Sequence, residues 1–362
     1  MLVLDTHLMQ AEWSPAKLCY LDSATYGLPC RETVAALQRV ISEWGTGEYD
    51  PVGCDEVISR ARASYARLHG VPSGRVAVGH QVAPFVAAFA AAIKTPGKVL
   101  IADGDFTSLV FPLIATGREI VSVPLEDLPD AVDRDTALVA VSTVQSSDGR
   151  IAELEQIAGA AAASGAYSLV DSTQSSGWLP LDATGFDGVV TGGYKWLCQP
   201  RGTAFMALSE RMLDTIPLTA NWFAAEQPWG SCYGLPLRLA SDARRFDISP
   251  AWLNWHGAAV AMERIEALGV EVIEAHNLAL AERVRSALEL PPSRSAITAL
   301  RADEDLLERL QAAAIKTSVR AGMVRISCHL YNDDSDIDQL LEVLCERSAG
   351  ELEVAGAGSH IS

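Results

Sequence analysis

Tyr167-Ser-Leu-Val-Asp171-Ser-Thr-Gln174 reads as a short apolar strand that ends on a carboxylate. A strand that is apolar throughout, rather than alternating, is one covered on both faces. The pattern repeats outward from it. Ala137–Ser142, Glu119–Val123, Lys98–Ile101 and Arg75–Val78 precede it as strands, and Gly188–Thr191 and Gly202–Ala207 follow. Helical stretches Pro84–Ile93, Leu109–Thr116 and Ala152–Ala163 lie between them. Strands alternating with helices predict an α/β fold with a mostly parallel sheet. Beyond residue 250 come two long amphipathic helices, Pro250–Gly269 and Val270–Leu288. Ile297–Leu300, Asp303–Ala314, Met323–Cys328 and Ser335–Arg347 then read β-α-β-α, a smaller C-terminal α/β unit. Asn221–Ser249 has no clear period and reads as an ordered connection, and the Gly/Ala/Ser-rich tail after Ala349 as frayed chain.

Composition excludes several function classes. The 362 residues are 49% hydrophobic and 20% charged, which suits a globular chain of about two domains. A net charge of −18 disfavours nucleic-acid and anionic-membrane partners, which need a basic field. The seven cysteines form no CxxC pair and no regular spacing, so they read as reduced thiols rather than a disulfide frame or metal site. The opening residues lack a signal-peptide pattern, and the longest apolar run, Val82–Ile93, is too short to span a bilayer, so a cytoplasmic protein is expected.

The chemistry-bearing residues fall at strand ends. Only five lysines occur, and Lys195 alone follows an apolar strand, in Val189-Val-Thr-Gly-Gly-Tyr194-Lys195-Trp196. An amine in a dry pocket loses proton affinity and becomes a usable nucleophile or base, although an ordinary turn lysine is the commoner case. Asp171 ends its strand 24 residues earlier, where open α/β sheets bind ligands. There it either holds a pyridine-type nitrogen protonated or caps the next turn. The turn Gly79-His-Gln81-Val82 precedes a helix whose first N–H groups can cradle a phosphate. Phe106, after the next strand, can stack on a flat ring or simply pack.

In this order the pieces resemble the class-V aminotransferases, a branch of the fold-type I pyridoxal phosphate (PLP) enzymes. Tyr20-Leu-Asp22-Ser-Ala-Thr25-Tyr26-Gly resembles the YLDNAATG opening of the class. Tyr194-Lys195-Trp-Leu-Cys-Gln-Pro200-Arg-Gly202 is similar to its lysine motif, and Val324-Arg325-Ile-Ser327-Cys-His-Leu-Tyr331-Asn332 to its C-terminal R-x-S-x-x-x-YN motif. The resemblance spans about residues 18–346. It implies a large PLP-binding domain over 46–245 and a small domain over 246–350. Residues 1–45 would contribute to the site and the small domain, and 351–362 would form a flexible tail.

The resemblance also implies roles. Lys195 would hold PLP covalently and shuttle the Cα proton, Asp171 would pair with the ring nitrogen, and Gln174 would lie near the phenolate oxygen. Gln81, Val82 and Tyr194 would meet the phosphate, and Phe106 would stack on the ring, as in the kynureninase-like branch. Arg325, with Thr25 and Tyr26, would take the substrate carboxylate. Trp222 and Ser249 would reach the partner subunit's phosphate, which implies a homodimer. Ser146 and Gly192 depart from the Asn and Ser common at their positions. Ser318-Val-Arg320-Ala-Gly322 runs straight into Met323, so the loop that carries the nucleophilic cysteine of desulfurases is absent. At whole-chain level the sequence resembles the carbon–sulfur lyases of ergothioneine biosynthesis, which implies α,β-elimination from hercynylcysteine sulfoxide. An isopenicillin-N-epimerase-like racemase and a non-catalytic binding protein on the same fold stand as alternatives.

Overall fold

The computed structural model describes residues 12–13, 18–301 and 305–345. The tail after Ala349, Lys17 and the proposed start of a helix at Asp303 lie outside the described residues.

In chain order the elements are β1 (Cys19–Tyr20), α1 (Arg31–Thr46), α2 (Cys54–Leu68), β2 (Val76–Gly79), α3 (Val82–Ala92), β3 (Lys98–Ala102), α4 (Thr107–Ile114), β4 (Ile120–Val123), β5 (Thr136–Ser142), α5 (Leu154–Ser164), β6 (Tyr167–Asp171), β7 (Gly188–Gly192) and β8 (Ala204–Leu208). Then follow α6 (Trp252–Leu268), α7 (Val270–Ala287), β9 (Ile297–Arg301), α8 (Leu306–Ala312), β10 (Ile315–Lys316), β11 (Ser318–Arg320), β12 (Met323–Ser327) and α9 (Asp334–Cys345). Single-turn helices fill several connections, including parts of 221–249.

A seven-stranded sheet runs β2-β8-β7-β6-β5-β3-β4. Strands β7, β6, β5, β3 and β4 pair in parallel, whereas β8 is antiparallel to both β7 and β2. The expected mostly parallel α/β sheet is present, with β8 reversed because β7 and β8 are joined by a short excursion rather than a crossover helix. Successive residues of each strand serve opposite faces. Val76, Val78, Val170, Val189 and Phe205 pack toward α2 and α6. Ala77, Leu169, Val190 and Met206 pack toward α3. That double covering is why β5, β7 and β8 are buried throughout.

The four elements of the C-terminal β-α-β-α reading are present as β9, α8, β12 and α9, with the short strands β10 and β11 added between α8 and β12. β12 pairs antiparallel with both β9 and β11, giving a three-stranded sheet ordered β11-β12-β9. Ala321 and Gly322 join β11 to β12 in a two-residue turn, both at positive φ (49° and 77°). Two positive φ values make the primed turn whose twist matches a tight hairpin. The helices α1 and α2, ahead of β2, are two elements that the strand–helix alternation does not announce. At the N-terminus, β1 pairs in parallel with β10, and Asp22 bridges to Ser327, so this segment runs beside the small sheet.

Candidate active site

The carboxyl ends of β6 and β7 open on a cleft with about 660 Å3 of empty space. Among the residues lining it are Gln81, Val82, Phe106, Ser146, Asp171, Gln174, Gly192, Tyr194 and Lys195. Thus the strand end, the helix start, the aromatic and the lysine motif, 114 residues apart between Gln81 and Lys195, meet on one wall.

Lys195 is 6% exposed. Burial pushes its amine down to about 8, against the opposing pull of Asp171 and with help from Arg325, Arg320 and Arg201. Its Nζ stands 5.2 Å from the centre of the Phe106 ring and 5.8 Å from that of Tyr194. The turn that delivers it needs glycine. A Cβ on Gly193 would lie 2.1 Å from Gln199 Oε1, and one on Gly27 would lie 1.9 Å from the Lys195 carbonyl oxygen. Gly192 donates its N–H to Thr173 Oγ1 at 2.9 Å, and a Cβ there would press on Tyr194 and Thr173 at 3.3–3.4 Å. The departure to glycine at 192 therefore fits the bulk of its two neighbours.

Asp171 is buried, and burial raises its proton affinity. Oδ1 accepts the Thr173 N–H at 2.8 Å. Gln174 lines the cleft and also bridges two parts of the chain. Its Nε2 donates to the Ala24 carbonyl at 3.0 Å, and its Oε1 accepts from Trp196 Nε1 at 2.8 Å. Gln174 thus ties the opening motif to the lysine turn. Gln81 is the residue before α3, with no side-chain bond to the helix, and Val82 and Ala83 open the helix on the cleft wall. Phe106 is half-exposed, and Tyr194 lies against Tyr26 with the rings tilted by 39° and their centres 5.9 Å apart.

Arg325 sits differently from the others. It is 1% exposed and does not line the cleft. Nη2 donates to Thr25 Oγ1 at 2.7 Å, and Nη1 donates to the Ser146 carbonyl oxygen. Asp22 Oδ1 faces it at 3.8 Å. Burial and Arg320 bring its guanidinium down to about 10. Ser146 thus touches Arg325 through its backbone. Trp222 and Ser249 do not line this cleft: Trp222 packs on Phe223 and Trp229, and Ser249 is exposed.

Motif reading passes over two carboxylates. Asp105, 8% exposed, accepts the Phe106 N–H at 2.6 Å, the Ser142 N–H at 2.8 Å and the Ser142 hydroxyl at 2.5 Å, and so fixes the backbone that carries Phe106. Asp22, 3% exposed, is the charge opposite Arg325. Asp22 lies inside the quoted opening motif and Asp105 directly precedes Phe106, and only burial separates them from ordinary loop acids.

These residues fit PLP. A buried carboxylate with raised proton affinity suits a pyridine nitrogen, an enclosed amine of lowered proton affinity suits an aldehyde, and a helix start on the same wall suits a phosphate. Cys328 is 1% exposed, and burial pushes its thiol up to about 12, so it is not an activated thiol.

The family pattern for aminotransferase class V matches residues 113–306. Isopenicillin N epimerase of Streptomyces clavuligerus is 26% identical over 336 residues, covering 79% of this chain and 83% of the epimerase. Among solved structures, a cysteine desulfurase from Escherichia coli superposes with a TM-score of 0.82 at 17% identity, covering 95% of this chain and 98% of its own. The cystine C–S lyase C-DES, bound to cysteine persulfide, gives 0.82 at 18% identity, covering 91% and 98%. A C-DES variant has glycine covalently linked to its PLP cofactor. Likeness at these identities is likeness of fold.

Proposed function

The chain belongs to the class-V aminotransferase family, and from that premise we propose that it is a PLP-dependent C–S lyase acting on a cysteine S-conjugate sulfoxide, with hercynylcysteine sulfoxide as the substrate. Its cofactor is pyridoxal phosphate. The observation that carries the reading is the enclosed Lys195 amine beside Asp171, in a site with no thiol poised at the β11–β12 turn. When bound, PLP supplies a carbonyl for the substrate amino group and a ring that accepts electrons from Cα.

The chain's residues then have these tasks. Lys195 Nζ would hold the cofactor, and its amine would take the Cα proton. The Asp171 carboxylate would pair with the ring nitrogen and keep a proton there. The N–H groups at Gln81 and Val82, with the Tyr194 hydroxyl, would hold the phosphate, and Phe106 would pack on the ring. Gln174 holds the Ala24 and Trp196 ends of the site together. Thr25, Tyr26 and Arg325 orient the substrate carboxylate. In the net reaction the Cβ–S bond breaks, and water completes conversion of the sulfoxide to a sulfenic acid, pyruvate and ammonia. The sulfenic acid becomes ergothioneine only with two electrons from a separate reductant.

The enzyme acts as a homodimer in which Trp222 and Ser249 reach the partner's phosphate. Ile216, Leu218, Tyr233, Leu235 and Leu237 are exposed along the same connection, 57–91% each, which is the apolar surface that a subunit contact would cover. An epimerase-like racemase is the second reading, favoured by the Streptomyces relative. Incubation with cysteine S-conjugate sulfoxides in deuterated water decides between them. Pyruvate release supports the lyase, and deuterium at Cα with inversion and no pyruvate overturns it.

A further inference from the structure

Arg320 and Arg325 share one acceptor. Arg320 Nη2 donates to Thr25 Oγ1 at 3.1 Å, on the same oxygen that Arg325 Nη2 approaches at 2.7 Å. Two guanidinium groups thus stand within a few ångströms, and the charge of each lowers the proton affinity of Lys195. Asp22 faces this pair from Arg325's side, with an Oδ1 that has no hydrogen-bond partner. Among the described residues no carboxylate pairs with Arg320, in a chain that has 46 acidic residues against 28 basic ones. Arg325 is 1% exposed with both Nη groups engaged, whereas Arg320 is only partly buried. Thr25 leads directly to half-exposed Tyr26, whose hydroxyl accepts the Arg201 N–H at 3.3 Å at the cleft wall.

Two like charges held this close against the single carboxylate of Asp22 are unfavourable unless a further anion completes the set. The proposed function assigns Arg325 and Thr25 to one substrate carboxylate. We propose that Arg320 is a specificity-determining residue that binds a second anionic group on the substrate, so that the site prefers amino acids bearing a carboxylate on the part that departs from Cβ. This deepens the reading of the site as a C–S lyase and rests on it. A planar guanidinium suits a carboxylate through paired N–H donors.

Two conjugates of equal length test it: S-carboxyethylcysteine sulfoxide, which is acidic at the far end, and S-propylcysteine sulfoxide, which is not. The holoenzyme should favour the acidic conjugate in kcat/KM. Arg320→Gln should reduce that preference at least about tenfold, the scale of one charge-assisted contact. Arg320→Lys should restore part of it, because a point charge remains. Tm and bound PLP, measured on the same preparations, keep a folding defect separate. An acidic-to-neutral ratio unchanged in Arg320→Gln overturns the proposal, including when both conjugates lose activity equally. If neither conjugate yields pyruvate, the lyase reading fails by itself. The calorimetric Kd ratio of the two conjugates for wild type and Arg320→Gln then decides the role of Arg320 by the same criterion.

Discussion

At the residue scale the site turns on the neutrality of Lys195. Desolvation outweighs the attraction of Asp171, so the amine gives up its proton near pH 8 rather than above 10. Only the neutral amine attacks a carbonyl. In cofactor-free protein, the rate at which PLP attaches should therefore climb as pH rises toward about 8 and level off above it. Absorbance of the attached cofactor follows this directly, and a rate that is flat from pH 6.5 to 9 contradicts the assigned state. Lys195→Ala should lose both that absorbance and turnover, and a borohydride-reducible adduct on another lysine would refute the role. Asp171 works in the opposite direction. Its raised proton affinity favours sharing a proton with the ring nitrogen, which an amide cannot do. Asp171→Asn should retain PLP while kcat falls, by at least about tenfold if one charged hydrogen bond is lost. An unchanged kcat at full PLP occupancy removes the role. Lys195 and Asp171 were legible because a strand end and a motif mark them. Asp105 and Asp22 were not, because burial creates their importance and a linear sequence does not show which acids are buried.

At the element scale the β11–β12 hairpin sets what the site lacks. Two residues, Ala321 and Gly322, close it, so the segment before Arg325 has no room for a long loop. The sequence already showed the shortness, since Arg320 and Arg325 are five positions apart. It did not show the antiparallel pairing, because short apolar runs serve parallel and antiparallel sheets alike. Ala321 holds φ at 49°, a left-handed conformation that costs a residue with a Cβ about 1 kcal/mol. Ala321→Gly should relieve that cost, less the entropy glycine loses on folding, and raise Tm by on the order of 1 °C. A lowered Tm in a thermal melt would show that the turn carries no such strain.

At the scale of the whole molecule Arg325 is a strut. From β12 it reaches Thr25 of the opening motif and the backbone of Ser146 after β5, joining three distant parts of the chain. Arg325→Ala should therefore lower Tm as well as cut kcat/KM at least about tenfold, the loss of a charged contact. PLP should stay bound, since Gln81, Val82, Phe106 and Lys195 line the cleft without it. A lowered Tm with normal kcat/KM would leave Arg325 a structural group only. For the homodimer, sedimentation should give twice the 38.6 kDa chain mass, and Leu218→Asp with Leu235→Asp should dissociate it and weaken PLP binding. A monomeric wild-type protein that binds PLP fully would overturn the shared site.

The sequence by itself determined the alternation of buried strands and helices, the carboxylate at the end of β6 and the glycines that let Lys195 turn into the cleft. These are local properties: apolar runs cannot face water, and glycine alone tolerates the close approaches at 27 and 193. Tertiary structure decided the rest. Which acids face which arginines, how Gln174 reaches Ala24, and how Arg320 and Arg325 come to share Thr25 depend on residues some 150 to 300 positions apart meeting in space. Electrostatic energy depends on distance and burial in three dimensions, and neither is a function of position along the chain.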